Sequence, residues 1–395
     1  MYNIRKVTDD ITWIGASDRR LALFENIFPI KRGVSYNSYV LLDDQTVLFD
    51  TVDASVAGQF FENLEAALEG RTLDYLIVNH MEPDHCAMIG DIVRRYPAVK
   101  IVGNTKTFGM MNQFFGTDFS ERSVVVKEGD TLSAGKHTLH FVMAPMVHWP
   151  EAMVTYDDVD KVLFSADGFG SFGALNGNVF ADEVDFDRDW LDDARRYYTN
   201  IVGKYGASVQ TLLKKAAGLE IAVICPLHGP ILKENLGYYI DKYQTWSTYQ
   251  PEKHGVMVAY ASIHGNTAQA AEEMAELLRA NGEEVEVFDL SRTDVSLAVR
   301  KAFYYDRMVL AAATYDGGVF PCMEEFLLHL KSKNFQKRTV GLMENGSWAP
   351  LAGKIMRGIL EPMKDVHVLE QVVTIKSAVH EDTREAMKAM ADALK

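Results

Sequence analysis

The second part of the chain alternates strand and helix patterns, and this regularity limits the possible folds more than any other feature. Apolar runs typical of buried strands alternate with amphipathic segments from Val256 to Leu394. The predicted strands are 256–261, 284–290, 308–313, 339–343 and 366–369, and the predicted helices are 267–280, 295–303, 323–333, 353–363 and 382–394. Such alternation specifies a parallel sheet with helices on both faces. We therefore expect a doubly wound α/β domain here.

The residues before Val256 follow a different pattern, in which short strands are interrupted by helical segments. Strands are predicted at 38–42, 46–50, 73–78 and 221–225, and helices at 57–68 and from about 187 to 218. This pattern suggests sheets covered by helices. A chain of 395 residues exceeds the size at which a single core stops growing, and a polar segment at 243–255 separates its two parts. We predict two domains, 1–252 and 253–395.

Composition and charge exclude several classes of partner. The formal net charge is -15 and no Lys/Arg cluster stands out, so nucleic acid is not expected to bind. No apolar run approaches the roughly 18 residues of a membrane helix, and the first ten residues lack the apolar core of a secretion signal. We expect a cytoplasmic protein. Cys86, Cys225 and Cys322 form no CxxC pair, which predicts reduced thiols rather than disulfides or a cysteine metal site.

One short segment concentrates potential metal ligands. His80, Glu82, Asp84 and His85 lie within six consecutive positions directly after a predicted strand. Buried charged groups are costly unless they are paired or bind a metal. Pro83 is incompatible with a helix interior, so we expect a loop at the end of the strand.

Three further candidate ligands stand alone, each shortly after another predicted strand. They are His148, Asp167 and His228. Loops at strand ends are where a rigid scaffold presents functional side chains. Each residue is a weak signal by itself, but together with the dense segment they predict a metal site.

The pattern HxExDH, followed at long intervals by H, D and H, resembles the metallo-β-lactamase fold in its flavodiiron version. The hydrolase version usually reads HxHxDH. Glu82 provides a harder oxygen ligand in place of the second histidine, which favours iron over zinc. The resemblance implies an N-terminal αββα metallo-β-lactamase-like sandwich.

The same resemblance implies two non-heme irons per chain. One would be held by His80, Glu82 and His148, the other by Asp84, His85 and His228, with Asp167 bridging both. For His85 two alternatives stay open, ligation of iron or replacement by water. Asp50 is expected to orient a ligand histidine without binding the metal itself, and a turn-forming role is the alternative.

In the second domain, the loop 262–267 supplies hydroxyls, a glycine and backbone N–H groups at the start of a helix. These features suit a terminal phosphate, although an ordinary helix cap is the alternative. Two more loops, 314–318 and 344–348, follow strands of the same predicted sheet and should meet the first at its carboxyl edge. The candidate binding residues are Ser262, Ile263, His264, Gly265, Asn266, Thr267, Thr314, Tyr315, Asp316, Gly317, Gly318, Asn345, Gly346, Ser347 and Trp348.

This half of the chain resembles flavodoxin, which implies FMN and a strand order of 2-1-3-4-5. The dinucleotide fingerprint GxGxxG is absent, so NAD and FAD are not expected. Trp348 and Tyr315 are the candidates for contact with the isoalloxazine ring, with packing under the loops as their alternative role.

The resemblance to flavodiiron proteins covers nearly the whole chain and implies reduction of dioxygen to water, of nitric oxide to nitrous oxide, or of both. It also implies a head-to-tail homodimer, with a dimer of dimers left open. No CxxC…CxxC module follows the second domain up to Lys395, so an external donor is expected, a rubredoxin or a reduced deazaflavin. Phe24, Tyr36 and Trp149 are candidates either for a gas pocket or for core packing. The alternatives are a binuclear zinc hydrolase fused to a flavodoxin and an FMN electron carrier without enzymatic activity.

Overall fold

The structure is a computed structural model that describes residues 2–395. It divides into two compact units. The first runs to Tyr198 and includes Ala207–Gln244, and the second comprises Thr199–Gly206 and Thr245–Lys395. The boundary between residues 252 and 253 stays a prediction. Within residues 2–395 no helix combines the length and the apolar character needed to cross a membrane.

The part of the chain before Lys253 contains short strands and helices of mixed length. The strands are β1 Arg5–Lys6, β2 Ile11–Trp13, β3 Ala16–Asp18, β4 Leu23–Phe24, β5 Phe28–Pro29, β6 Val34–Tyr36, β7 Tyr39–Leu42, β8 Thr46–Phe49, β9 Tyr75–Ile77, β10 Lys100–Gly103, β11 Ser123–Val125, β12 Thr131–Ser133, β13 Thr138–Met143, β14 Met153–Asp157, β15 Val162–Phe164 and β16 Val223–Cys225. The helices are α1 Ala57–Leu68, α2 Pro83–Cys86, α3 Ile89–Arg95, α4 Thr105–Phe115, α5 Phe186–Asp189, α6 Leu191–Tyr197, α7 Gly206–Ala216 and α8 Leu236–Ser247.

Two sheets form the centre of the first unit. One has seven strands in the order β1-β2-β7-β8-β9-β10-β11, and the other has five in the order β12-β13-β14-β15-β16. Phe49 of the first sheet stacks on Phe164 of the second, with ring centroids 3.7 Å apart. Val47, Ile77 and Phe141 are buried in the same core. The hydrophobic faces of the two sheets are therefore buried against each other, as in a sandwich.

Helix α4 shows how local sequence positions a loop of this unit. The Asn104 side chain accepts hydrogen bonds from the backbone N–H groups of Lys106 and Thr107, at 3.0 and 3.2 Å, and so caps the helix. The same side chain donates its amide to the carbonyl oxygen of Glu151, at 2.6 Å. The cap therefore also fixes the loop between β13 and β14.

Two local predictions need correction. The expected loop at Pro83 is the one-turn helix α2, because proline fits the first helical position, where its missing N–H is not needed. The predicted long helix at 187–218 is broken at Trp190 between α5 and α6. It then passes through a π-helical turn, Tyr198–Val202, and a 3₁₀ turn, Gly203–Tyr205, before α7. Gly203 and Gly206 weaken helical continuity there.

The part of the chain from Lys253 onward follows the predicted alternation. Its strands are β17 Lys253–Ala261, β18 Val285–Asp289, β19 Tyr305–Tyr315, β20 Gly318–Val319, β21 Arg338–Asn345 and β22 Val366–Ile375. Its helices are α9 Asn266–Ala280, α10 Val295–Tyr304, α11 Pro321–Ser332, α12 Ala352–Leu360 and α13 Glu381–Ala393. The parallel strands lie in the order β18-β17-β19-β21-β22, which is the predicted order 2-1-3-4-5.

Both faces of this parallel sheet are covered. Val256 and Val258 of β17 pack in a core with residues of α9 and α13, whereas Met257 and Ala259 pack in a second core with residues of α10, α11 and α12. Strands buried on both sides read as continuous apolar runs, which is why the sequence revealed them. The doubly wound α/β prediction is confirmed.

Candidate functional site

Asp50 fixes the start of the ligand-rich segment. It follows β8, and its carboxylate accepts hydrogen bonds from the backbone N–H groups of Asn79 and His80, at 2.7 and 3.2 Å, and from the Asn79 side chain, at 2.8 Å. The carboxylate thus holds the main chain of His80 rather than its ring. Asp50 is fully buried, and this burial raises the pKa of its carboxyl to about 6.

Four of the predicted ligands form a first donor group. The Nε2 atom of His80 lies 3.2 Å from Glu82 Oε2 and 3.3 Å from Asp167 Oδ2. The Nε2 atom of His148 lies 3.0 Å from the same Glu82 oxygen and 3.2 Å from the same Asp167 oxygen. Two imidazoles and two carboxylates therefore point at one centre.

The remaining three ligands form a second donor group beside it. The Nε2 atoms of His85 and His228 are 3.0 Å apart and lie 3.5 and 3.3 Å from Asp84 Oδ2. The other oxygen of Asp167, Oδ1, lies 3.2 Å from the His85 nitrogen and 3.8 Å from the His228 nitrogen. Asp167 therefore turns one oxygen toward each group.

Both donor groups draw on both sheets. His80 and Glu82 follow β9 of the first sheet, and Asp84 and His85 lie on α2, directly after them. His148, Asp167 and His228 follow β13, β15 and β16 of the second sheet. The structure thus brings all seven predicted ligands together.

The donor set fits a pair of metal ions. Ligand atoms about 2.1 Å from a metal lie about 3.0 Å apart in an octahedral arrangement and about 3.4 Å apart in a tetrahedral one, and most of the distances above are close to this range. Asp84 Oδ1 is buried without a hydrogen-bond partner. Two ring nitrogens 3.0 Å apart, each facing carboxylates, also suit a shared cation. Mixed imidazole and carboxylate ligands are typical of iron or zinc.

The carboxylates of the site strongly stabilise positive charge on the groups near them. Burial alone would lower the pKa of His148, but hydrogen bonds to Asp167 and Glu82 raise it to about 9. The pKa of His80 is also raised, because Asp167 outweighs the effect of burial. The pKa of Asp167 is held well below its usual range, since its contacts with His80 and His148 outweigh burial. Protons or metal ions can supply this positive charge.

Two of the histidine rings are held by hydrogen bonds from Nδ1, the ring nitrogen that faces away from the donor groups. The sequence did not predict either hydrogen-bond partner. The Nδ1–H of His80 donates to Glu151 Oε1 at 2.8 Å, and the Nδ1–H of His228 donates to the carbonyl oxygen of Ser35 at 2.7 Å. In a neutral ring this leaves Nε2 free as a ligand. Glu151 stands three positions after His148, which is a weak signal, whereas a backbone carbonyl gives no signal at all.

A cavity of about 480 Å³ opens beside the two donor groups. Its lining residues include Glu82, Asp84, Phe24, Glu25 and Tyr36. The aromatic rings also touch the ligands, since the Phe24 ring centroid is 5.3 Å from that of His228. Trp149, the third aromatic candidate, is not among the lining residues and packs 5.3 Å from the ring of His80.

In the second unit, the three predicted loops enclose a cleft of about 440 Å³ at the carboxyl ends of β17, β19 and β21. Most candidate residues line it, namely Ser262, Ile263, His264, Asn266, Thr267, Thr314, Asp316, Gly317, Asn345, Gly346, Ser347 and Trp348. Gly265, Tyr315 and Gly318 lie outside the lining, and Tyr315 packs edge-on against Phe320 with centroids 5.4 Å apart.

Sequence reasoning also missed a fourth wall of this cleft. Ser377 lines it after β22, together with Ala313, Ala349 and Leu351. Asn345 exchanges two hydrogen bonds with the backbone of Ser377, both at 3.1 Å. Ser377 has a φ of +74°, so this wall depends on a turn that the apolar pattern could not reveal.

The cleft fits a flavin with a terminal phosphate. Helix α9 starts after Gly265, whose φ is +95°, and no side chain caps it, so its first N–H groups can receive an anion. Trp348 also lines the cleft, is 87% exposed and can cover a ring system. The volume lies within the usual range for small-molecule sites, about 300–1,000 Å³.

Comparison with known proteins matches both units and the chain as a whole. Residues 34–229 match the model of the ODP family beta lactamase, and residues 257–369 match the flavodoxin domain. The nitric oxide reductase of Moorella thermoacetica is 30% identical over 375 residues, covering 94% of this chain and 92% of the relative.

Two solved structures share the complete fold. The rubredoxin oxygen:oxidoreductase of Desulfovibrio gigas superimposes with a TM-score of 0.93 and 26% identity, covering 99% of this chain and 97% of that one. The flavodiiron protein of Giardia intestinalis gives a TM-score of 0.93 at 24% identity, over 100% of this chain and 96% of that one, which supports the fold alone. The metallo-β-lactamase-like and flavodoxin-like architectures are thereby confirmed, and the chain is an oxidoreductase that belongs to the flavodiiron protein family.

Proposed function

We propose that this protein reduces dioxygen to water, nitric oxide to nitrous oxide, or both, at a non-heme diiron centre supplied with electrons through FMN. The main support is the geometry of the seven ligands. They form two donor groups of matching composition, and the two oxygens of Asp167 face one group each. A bridged metal pair suits a reaction that takes several electrons in succession.

In this proposal one iron is held by His80, Glu82 and His148 and the other by Asp84, His85 and His228, with Asp167 shared. The distance of 3.2 Å between His85 Nε2 and Asp167 Oδ1 supports ligation by His85 rather than replacement by water. Three carboxylates give a charge of about −3 against the +4 of two ferrous ions, which leaves the pair attractive to an electron-rich diatomic ligand. When bound, the irons and the flavin supply the electrons, one from each ferrous ion and two from reduced FMN.

The protein's own side chains control access and orientation. Glu82 and Asp84 reach the cavity of about 480 Å³, so a gas molecule that enters it meets both metal positions. Phe24 and Tyr36, both buried, wall the cavity with aromatic rings and restrict water. Asp50 and Glu151 hold His80 from its backbone and its ring.

For FMN, we propose that the phosphate lies at the start of α9 and the ring system near Trp348. The Thr314 hydroxyl accepts hydrogen bonds from the N–H groups of Leu351 and Ala352, at 2.9 and 3.1 Å, and so fixes the loop next to Trp348. Tyr315 is a weaker candidate for ring contact, because it packs on Phe320 and lies outside the cleft lining.

The identity of the electron donor, the assembly and the location stay predictions. We propose an external donor of the rubredoxin or reduced deazaflavin type, and the name of the Desulfovibrio gigas protein offers support for the former. The head-to-tail homodimer, any dimer of dimers and the cytoplasmic location rest on the family resemblance and on the sequence. The zinc hydrolase is not favoured, because the relative that covers 94% of the chain is named a nitric oxide reductase.

Anaerobic stopped-flow spectroscopy tests the proposal. The fully reduced protein is mixed with dioxygen or nitric oxide in separate experiments, and metal and flavin contents are measured on the same sample. Rapid flavin reoxidation with about two irons per chain is expected, and the faster gas is the preferred substrate. Zinc in place of iron, with slow reoxidation and release of peroxide, would refute the proposal.

A further inference from the structure

The two donor groups are matched in ligand type but not in their surroundings. Each contains two imidazoles, one carboxylate of its own and one oxygen of Asp167. Ligand charge and ligand softness therefore give no reason for the two metal positions to differ. Any difference between the two positions must come from the atoms that contact the ligands on the side away from the metal.

Those outer contacts differ sharply between the groups. In the first, His80 donates its Nδ1–H to a carboxylate oxygen of Glu151, at 2.8 Å. In the second, His228 donates to the neutral carbonyl of Ser35, at 2.7 Å, and the Nδ1 atom of His85 is buried without a hydrogen-bond partner. Of these three rings, His80 of the first group alone donates its Nδ1–H to a carboxylate, whereas the buried Asp50 carboxylate acts on His85 through charge without a hydrogen bond to the ring.

Glu151 is held firmly in this position. Its side chain is completely buried, and Oε1 accepts a second hydrogen bond from the backbone N–H of Met81, at 2.8 Å. Its main-chain carbonyl is bound by the capping residue Asn104. The carboxylate therefore acts on His80 from a fixed distance and keeps the ring in the tautomer that presents Nε2.

We propose that Glu151 is a positioning residue that makes the two metal positions unequal, so that the His80–Glu82–His148 position binds its metal more tightly and fills first. A carboxylate that accepts the outer N–H of a histidine increases the electron density of the ligating nitrogen and fixes its orientation. The inference rests on the proposed metal function, and it deepens that function by ordering the assembly of the centre.

The test uses full-length protein that retains its flavin and has been depleted of metal by chelation. Ferrous iron is titrated in without oxygen and binding is followed by calorimetry. Wild-type protein should bind two equivalents in a tighter and a weaker step. Glu151→Gln keeps the shape and an acceptor oxygen but removes the charge, and it should weaken the tighter step by roughly 10–100-fold while the weaker step stays unchanged.

Asp157→Asn is the matched control. Asp157 is also fully buried and accepts a hydrogen bond from a histidine ring, His137 Nδ1, at 2.9 Å, outside the donor groups. This variant removes the same kind of charge from the same unit and should leave both binding steps unchanged. Identical titrations of wild type and Glu151→Gln would overturn the inference, as would loss of the weaker step alone.

A measurement on wild-type protein covers the case in which a variant does not fold. One equivalent of ⁵⁷Fe²⁺ is added to the metal-depleted protein and the Mössbauer spectrum is recorded. A single dominant iron environment agrees with ordered filling, and two environments of equal intensity contradict it. Uptake of two irons with equal affinities would refute the role of Glu151 but leave the proposed function intact, whereas failure to bind two irons would refute both.

Discussion

The carboxylates of the ligand cluster favour protonated histidines when no metal is bound. We therefore expect the free energy of unfolding to depend on pH in opposite directions with and without metal. In metal-free protein the folded-state pKa of His148 is about 9, above the ordinary value of 6.5. A group whose pKa is raised by folding stabilises the folded state below its unfolded pKa, and that contribution is lost as the pH rises through the folded pKa. The relevant window is therefore from about pH 6.5 to about pH 9.

The magnitude follows from the size of this shift. A difference of about 2.5 pKa units at about 1.4 kcal/mol each corresponds to about 3.5 kcal/mol from His148 alone. His80 and His228, whose pKa values are also raised, act in the same direction. Asp167, whose pKa is lowered, is ionised throughout this window, and its contribution does not change there.

Urea unfolding of chelated protein at pH 6.5, 7.5 and 9 measures the effect, with far-UV circular dichroism as the signal. The free energy of unfolding of wild type should fall by about 3 kcal/mol or more across the series, and His148→Gln should remove a large part of this fall. Metal-loaded protein should show the reverse trend, because metals bind deprotonated imidazoles. A flat or rising profile for the metal-free protein would show that the imidazoles do not hold the charge assigned to them.

Three further substitutions test other parts of the structure. Glu82→His should raise the ratio of zinc to iron in protein purified from cells supplied with both, and an unchanged ratio by elemental analysis would contradict the argument from ligand hardness. Trp348→Ala should weaken FMN binding roughly tenfold in a fluorescence titration, from the loss of about 1 kcal/mol or more of ring contact, whereas unchanged affinity would place the ring system elsewhere. Arg338 is buried and donates to five main-chain carbonyl oxygens, so Arg338→Met should lower the stability of the second unit by about 4 kcal/mol. The exposed Arg384→Met should leave the melting curve nearly unchanged, and equal melting curves for the two variants would refute this prediction.

Much of the second unit could be predicted because its parallel strands are covered on both faces. Continuous apolar runs such as 308–313 have few alternative structures, and the loops that follow them must meet at one sheet edge. The metal ligands were visible for a different reason. Four of them lie within six positions, and so many charged groups after an apolar strand are hard to explain without a cation.

The features that escaped prediction depend on contacts between distant parts of the chain. Glu151 meets His80 across 71 positions, and the Ser35 carbonyl meets His228 across 193. Neither contact leaves a local pattern. Ser377 enters the cleft through a residue with positive φ, and serine is not a typical residue for that conformation. The helical turn at Pro83 was missed because a single turn is too short to show periodicity.

The origin of the ligands from both sheets has a mechanical consequence. Each metal position takes ligands from the segment after β9 in one sheet and from segments after β13, β15 or β16 in the other. Bound metals therefore act as cross-links between the two leaves of the sandwich at their ligand-bearing edge, while the packing of Phe49 on Phe164 joins the same leaves within the hydrophobic interior. When the metals are lost, the two sheets stay packed together in the interior but are no longer linked at their ligand-bearing edge. Amide hydrogen exchange should therefore become faster first at the strand ends that carry ligands and last in the apolar strand centres.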